Sequence, residues 1–209
     1  RDRVLLCGMP RRGEVIVNMT RVTHVLGTRT DGLTHGEIEG RRQVIACLDF
    51  LRRRIPGFAN AQLIQTGTQV GVRETRRIVG EAVLTGRDVV EGRTFPDSVA
   101  RGAFPIDVHS PSNEALHYIK MAPGTSYDIP YRCLLPQGVD GLIVAGRCLS
   151  ADHQALASAR ISATAMALGQ AAGTAAVLCV ERNCVPRELP VDILQAGLEQ
   201  DGASWGKEA

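Results

Sequence analysis

An acidic and a basic side chain alternate in the segment Phe-Pro-Ile-Asp-Val-His-Ser-Pro, residues 104–111. Successive side chains of a β-strand point to opposite faces, so Asp107 and His109 would share one face. A carboxylate beside an imidazole can orient the ring and favour its charged form, which is how histidine becomes a general base near neutral pH. A hydrogen-bonded pair that only ties down the end of a strand is equally consistent with these residues.

A second group of charges lies at residues 73–77, where Arg73, Arg76 and Arg77 surround Glu74. A surface strand whose side chains form ion pairs explains Arg76 and Arg77 as well as a binding role does.

Residues 142–178 contain the elements that would position such side chains. The apolar run Leu142–Ala145 stops at Gly146 and Arg147, and a long segment rich in small residues follows. The pattern predicts a strand, a turn and one long helix with a close-packed face of small side chains. The first-turn amides of that helix would be available to a negative or carbonyl group, although a buried structural helix has the same pattern. The predicted small-residue face consists of Ser162, Ala165, Gly169, Ala172 and Ala176.

Residues 141–176, GLIVAGRCLSADHQALASARISATAMALGQAAGTAA, resemble the C-terminal signature of a family of FAD-dependent oxidoreductases. In that family the last strand of the flavin domain and the following helix complete the FAD site. Four further segments resemble other blocks of the family in the same order, and together the blocks cover most of residues 15–178. These segments are residues 20–44, 71–89, 104–111 and 129–136.

The resemblance implies an enzyme that moves a hydride, or two electrons, between a small organic substrate and FAD. It places Arg73 near the flavin ring, where a planar guanidinium can hold a substrate carboxylate or keto oxygen. It also favours the proton-transfer role of the Asp107–His109 pair. His153 would contact the ligand, although a polar loop residue is an equal alternative. The predicted catalytic residues are therefore His109, Asp107, Arg73 and His153.

The resemblance further implies that the N-terminus of the long helix faces the pyrimidine carbonyl of the flavin and stabilises the reduced cofactor. The predicted cofactor-binding residues are Gly146, Arg147, Ser158, Arg160, Ile161 and Ser162.

The glycines depart from what such a family requires. No two of the 22 glycines are separated by a single residue, so the G-x-G-x-x-G fingerprint of a dinucleotide-binding βαβ unit is absent. We therefore expect the chain to be a fragment whose Rossmann βαβ segment lies upstream. The fragment should bind FAD weakly or not at all, be inactive alone, and self-associate through residues 142–178, as a dimer for example.

Composition excludes several classes of protein. The 209 residues carry a net charge of +2, which gives no electrostatic footprint for nucleic acid or an anionic membrane. No run of apolar residues is long enough to span a membrane. The six cysteines have neither C-x-x-C nor zinc-ligand spacing, so no metal site is predicted and a reduced, cytoplasmic location is favoured. A disulfide between Cys179 and Cys184 is the less favoured alternative.

The remaining elements follow from local patterns. We predict a hairpin at residues 4–7 and 14–18, a helix from Thr34 to Pro56 with Glu37 completing a capping box, and a β-rich segment at 63–72. Extended segments are predicted at 78–83 and 127–135, a helix at 85–90, and a last helix that starts at Pro190 and ends near Glu199. The tail from Asp201 should be loosely held.

These patterns predict an α/β fold in which residues 1–132 form an α+β, substrate-domain-like region. Residues 133–209 would supply the C-terminal strand and helices of a Rossmann-like FAD domain. The alternative is a scaffold or interaction module that keeps the fold without the cofactor. Neither the substrate nor the electron acceptor can be deduced from these residues.

Overall fold

The computed structural model describes residues 5–108 and 117–206 of the chain. The chain divides into two compact units, Arg1–Val72 and Arg73–Ala209. Helices occur together with three small antiparallel sheets, which confirms the predicted α/β class. The boundary at 132/133 was placed between a substrate-domain-like region and a flavin-domain part, and it stays a prediction. The compact units divide at a different point.

The first unit begins with a hairpin. Strand β1 (Leu5–Gly8) pairs antiparallel with β2 (Val15–Asn18), as predicted to within one residue. Gly13 in the connecting turn has a φ of 85°, a conformation that glycine adopts without steric cost.

Helix α1 (Thr30–Arg54) forms most of the rest of this unit. The predicted start at Thr34 is wrong, because the helix begins four residues earlier, after Arg29. Glu37 lies about two turns inside the helix and accepts a hydrogen bond from the backbone N–H of Val70 instead of capping the first turn. Residues 63–72, predicted to be β-rich, contain no strand.

The second unit opens with helix α2 (Gly86–Glu91), and its start is as predicted. The Thr85 hydroxyl accepts a hydrogen bond from the Asp88 backbone N–H, while the Asp88 carboxylate accepts one from the Thr85 backbone N–H, which completes a capping box. The extended segment predicted at 78–83 contributes only an isolated bridge between Gly80 and Pro136.

Two short sheets follow. Strand β3 (Ser98–Gly102) pairs antiparallel with β6 (Tyr127–Pro130), and β4 (Ile106–Val108) pairs antiparallel with β5 (His117–Ile119). The strand predicted at 127–135 ends at Pro130, where the chain enters a 3-10 turn (Tyr131–Leu134).

Three helices complete the second unit: α3 (His153–Ala159), α4 (Ser162–Arg182) and α5 (Val191–Gln200). Helix α4 packs against β3 and α5, and α3 packs against β4. The core between these elements contains fully buried side chains from every one of them, among them Val99, Ile106, Ile129, Leu156, Leu168 and Leu194.

Two predictions about residues 142–178 are wrong. No strand lies at 142–146; Val144 donates one backbone hydrogen bond to the Leu134 carbonyl, and the chain then enters a 3-10 turn (Gly146–Cys148). The single long helix is in fact two helices, because the chain leaves helical geometry at Arg160 and Ile161.

The face of α4 that packs also differs from the prediction. The predicted small-residue face is exposed or half-buried, and an added Cβ at Gly169 or Gly173 would meet open space. Burying Leu168 removes more apolar surface from water than burying a glycine, so the stripe that contains Leu168 faces the core. The buried stripe consists of Thr164, Leu168, Ala171, Ala175 and Cys179.

The C-terminal tail is packed more closely than predicted. Trp205, the only tryptophan, is buried, and its carbonyl accepts a hydrogen bond from the Ser98 hydroxyl. Helix α4 is, among the described residues, the one helix long and apolar enough to cross a membrane. This is weak evidence of a span, since a core helix can pass the same test.

Candidate functional site

Asp107 and Arg73 approach one another in the second unit. Asp107 lies in the middle of β4, and its Oδ2 is 3.6 Å from Nη1 of Arg73. The carboxylate is largely shielded from solvent, whereas nearly half of the Arg73 side chain is exposed. The contact pairs two of the predicted catalytic residues, although the partner predicted for Asp107 was a histidine.

Arg160 reaches the same strand from the break between α3 and α4. Its Nη2 donates a hydrogen bond of 3.0 Å to the backbone carbonyl of Asp107. The pKa of Arg160 is lowered, first because burial penalises the charged guanidinium and next because the positive charge of Arg73 is close. Two guanidinium groups therefore lie beside one carboxylate.

His153 forms the second carboxylate contact of the site. It is the first residue of α3, and its Nδ1 lies 2.7 Å from Oε2 of Glu74. An ionised carboxylate only accepts hydrogen bonds, so Nδ1 carries the proton and Nε2 is the nitrogen left to exchange one. Oε1 of Glu74 lies 3.0 Å from Nη1 of Arg77, and this ion pair further fixes the carboxylate.

These contacts form two neighbouring groups, one around Asp107 and one around Glu74, and the charge of Glu74 is close enough to Arg160 to affect its pKa. We name the two groups together the charged cluster. Three arginines face two carboxylates, so the cluster keeps an excess positive charge even when the imidazole is neutral. Because more than half of the His153 side chain is exposed, small molecules can reach this group. The charged cluster consists of Arg73, Glu74, Arg77, Asp107, His153 and Arg160.

Gly146 and Arg147 lie in the 3-10 turn that packs against α3 and α4. Gly146 has a φ of 79°, and an added Cβ there would meet open space. Ile161 occupies the N-cap position of α4 and Ser162 its first turn; an isoleucine side chain cannot accept a hydrogen bond, so no side chain caps these amides. Backbone donors at a helix N-terminus suit the anionic and carbonyl groups of FAD, and the predicted residues of this turn and helix fit the cofactor.

Ser158 occupies a different environment. It lies inside α3 and is fully buried, and its hydroxyl donates to the Phe104 carbonyl at 2.5 Å. Its single proton is therefore used, so the Tyr127 hydroxyl, 2.7 Å away, is the donor of the second hydrogen bond. The hydroxyl joins α3 to the sheets, and the assignment of Ser158 to the cofactor site stays a prediction.

His109 lies outside the described residues, so the predicted Asp107–His109 pair also stays a prediction. The histidine–carboxylate pair that the structure places in the cluster is Glu74–His153. Sequence reasoning missed Glu74, which it assigned to surface ion pairing, and Arg77, for which it left the role open. The available signal was a carboxylate, Glu74, among closely spaced arginines. The histidine that pairs with it, His153, lies 79 residues away.

Comparison with known proteins gives a family for the chain. No curated protein and no solved structure matches the chain. A family model described as "FAD dependent oxidoreductase" matches residues 6–198, which is nearly the whole sequence. The chain belongs to the FAD-dependent oxidoreductase family, whose cofactor is FAD.

Proposed function

We propose that the protein transfers two electrons between FAD and a small organic acid, and that the charged cluster binds the acid and handles its proton. Arg73 and Arg160 would hold the carboxylate of the substrate, and His153 would exchange the proton at the reacting carbon or its heteroatom. The observation that carries this proposal is that a histidine–carboxylate pair, His153 and Glu74, lies near the two guanidinium groups that contact Asp107 of β4.

Charge supports an anionic substrate. Positive charge is in excess in the cluster, and the pKa of Arg160 is lowered, first by burial and next by the positive charge of Arg73. A carboxylate bound between Arg73 and Arg160 would lower this repulsion and gain charge-assisted hydrogen bonds. Asp107 would then position both arginines, Arg73 through its carboxylate and Arg160 through its backbone carbonyl.

Geometry supports His153 as the group that exchanges the proton. The hydrogen bond from Nδ1 to Glu74 fixes the tautomer and orients the ring, so that Nε2 can accept a proton and return it. Glu74 is a positioning residue, since it touches the imidazole and not the substrate. Its own position is fixed by Arg77.

The cofactor would be held by the uncapped first turn of α4 at Ser162 and by the turn at Gly146 and Arg147. When bound, FAD supplies the two-electron chemistry of the family. Because the sequence lacks the G-x-G-x-x-G fingerprint, we propose that this chain alone binds FAD weakly and that a segment with that fingerprint completes the site. We also propose a cytoplasmic location, in keeping with six free thiols.

The test compares acids with matched uncharged amides. With FAD in excess, lactate and related small carboxylates should reduce the flavin anaerobically, whereas lactamide and the other amides should not. Glu74→Gln should slow the reduction per bound flavin by about 10²-fold. Arg160→Gln should mainly raise the acid concentration needed for half-maximal rate, because it removes a binding contact.

Glu91→Gln and Arg87→Gln are matched controls, since these residues form an exposed ion pair on α2. Both should behave as the unchanged protein. A second arm needs no flavin: lactate, but not lactamide, should shift the imidazole resonances of His153. Equal responses to acid and amide would contradict the substrate class, and unchanged kinetics of Glu74→Gln would remove His153 from proton transfer. A protein that never takes up FAD, even in excess, would favour the scaffold alternative.

A further inference from the structure

Two cysteines meet where α4 ends. The helix stops at Arg182, and Asn183 adopts the left-handed conformation with a φ of 51°. The backbone N–H of Cys184 then turns back and donates to the carbonyl of Cys179 at 3.0 Å. This closure of a helix C-terminus places residues five apart in the sequence next to one another.

The thiols of the two residues also interact. Burial raises the pKa of Cys179, and the neighbouring Cys184 thiol raises it further. Cys179 is buried in the core, while Cys184 is only partly covered and is the thiol that a small oxidant reaches first. Both lie close enough to Tyr131 to raise the pKa of its hydroxyl, an effect to which burial contributes most.

We propose that Cys179 and Cys184 form a reversible disulfide when the protein is exposed to hydrogen peroxide. The sulfur of Cys184, as thiolate, attacks one peroxide oxygen; the S–O bond forms, the O–O bond breaks, and the departing hydroxide takes a proton to become water. The sulfur of Cys179 then displaces the oxygen of the Cys184 sulfenic acid, which leaves as a second water. Two thiols lose two electrons, and one peroxide becomes two waters.

The cross-link would connect two parts of the second unit, the end of α4 and the 3-10 turn that follows it. Val185 separates Cys184 from the 3-10 turn Pro186–Glu188, whose Arg187 pairs with Glu81 at 2.6 Å and with Asp140 at 2.6 Å. Tyr131 donates a hydrogen bond of 3.0 Å to the carbonyl of Pro186 in the same turn. A disulfide would bind the end of α4 covalently to this anchored turn.

Peptide mapping tests the proposal directly on the full chain. Trypsin cuts after Arg160, Arg182 and Arg187, so Cys179 and Cys184 fall in separate peptides. After treatment with hydrogen peroxide and alkylation of the remaining thiols, mass spectrometry should find these two peptides joined by a disulfide. Dithiothreitol should restore both as alkylatable thiols.

Exposed Cys7 is the internal reference, and Cys148→Ser is the matched control for Cys184→Ser. The joined peptides should persist in Cys148→Ser and vanish in Cys184→Ser. If Cys7 is oxidised while Cys179 and Cys184 remain thiols, the proposal is wrong. The same conclusion follows if Cys184 proceeds to sulfinic acid without a cross-link. Both outcomes are read on the unchanged sequence, so misfolding of a variant cannot obscure them.

Discussion

The two compact units differ in how they treat apolar side chains. In the second unit, strands and helices bury theirs against one another, and Leu84, Leu156 and Leu168 are inaccessible to solvent. In the first unit, Leu51 is the one apolar side chain buried among residues 5–72. Many others there are exposed, including Leu5, Ile16, Leu26, Ile38, Ile45 and Ile64.

Local contacts account for much of what holds the first unit. Helix α1 carries surface ion pairs one turn apart, such as Glu37–Arg41 and Asp49–Arg53, and each such pair stabilises a helix by about 0.2–0.5 kcal/mol. The second unit instead carries Asp107 on β4 and His153 on α3, two members of the charged cluster, and these two elements pack together. The side chains of a catalytic site need rigid elements that hold their geometry. Of the two units, the second has the packed core that provides such elements.

The largest expected effect is a contrast in core truncation. Leu168→Ala should lower the free energy of unfolding by about 2–5 kcal/mol, because it leaves a cavity in the core of the second unit. Ile38→Ala on exposed α1 should change it by no more than about 0.5 kcal/mol. Denaturant titration checks both, with Trp205 fluorescence reporting the second unit and far-UV circular dichroism reporting α1.

Val180→Ala is the control within α4 itself, because the Val180 side chain is exposed. It should leave the Trp205 transition nearly unchanged. If Ile38→Ala destabilises as strongly as Leu168→Ala, the apolar surface of the first unit is covered in solution, and the contrast between the units disappears.

Features that depend on neighbouring residues could be predicted from the sequence. The first hairpin and the start of α2 beside Thr85 are set within a few residues, so composition and spacing identify them to within one residue. The capping box predicted at Thr34 and Glu37 is not formed, and the structure has one at Thr85 and Asp88. The strand expected at 142–146 could not be settled in this way, since a strand requires a hydrogen-bonded partner. Among the described residues, Val144 makes one bond to a distant backbone group, the Leu134 carbonyl, while the bonds to the Ala145 and Gly146 carbonyls come from residues three positions further along the chain.

The candidate site shows the same difference between features that the sequence indicates and features that need a distant partner. Asp107, Arg73, Arg160 and His153 were all named from the sequence or its family resemblance, and the structure brings Arg73 and Arg160 into contact with Asp107. The contact that gives His153 its orientation was not predictable, because Glu74 is remote along the chain and its nearest neighbours are arginines. Long-range pairing of this kind depends on how the segment around Glu74 lies against α3, which local patterns do not encode.

The second prediction uses a buried tyrosine of the second unit. Burial raises the pKa of Tyr127 to about 12 from its ordinary value of 10.0. The folded state therefore keeps the hydroxyl proton to a higher pH than the unfolded state does. The associated stability is present below about pH 10 and is lost as pH rises to about 12; over these two units the loss is up to about 3 kcal/mol. Tyr127→Phe should remove the part of the stability loss at alkaline pH that comes from this tyrosine.

The measurement is the denaturant midpoint of the Trp205 transition at neutral and alkaline pH. Near neutral pH the variant should be less stable by about 0.5–1.5 kcal/mol, because Ser158 loses a hydrogen bond. Cys133, whose pKa burial raises to about 12, titrates in the same range, so the difference between the two proteins is the relevant quantity. Parallel pH profiles would show that Tyr127 is accessible to solvent, contrary to a closed core.

The smallest expected effect compares one glycine in each long helix. The sequence pattern predicted a close-packed face at Gly173 and hence destabilisation by a large side chain there, but the structure leaves that position open. Gly173→Ala should therefore stabilise the second unit by about 0.5–1 kcal/mol, since alanine loses less backbone freedom in a helix.

In α1, a Cβ at Gly32 would collide with the backbone carbonyl of Leu26, so Gly32→Ala should destabilise the first unit despite the same gain in helix propensity. Opposite shifts, read by Trp205 fluorescence for α4 and by far-UV circular dichroism for α1, would support both placements. A loss of stability in Gly173→Ala would mean that another surface covers this face of α4, and the orientation of the helix would have to be reversed.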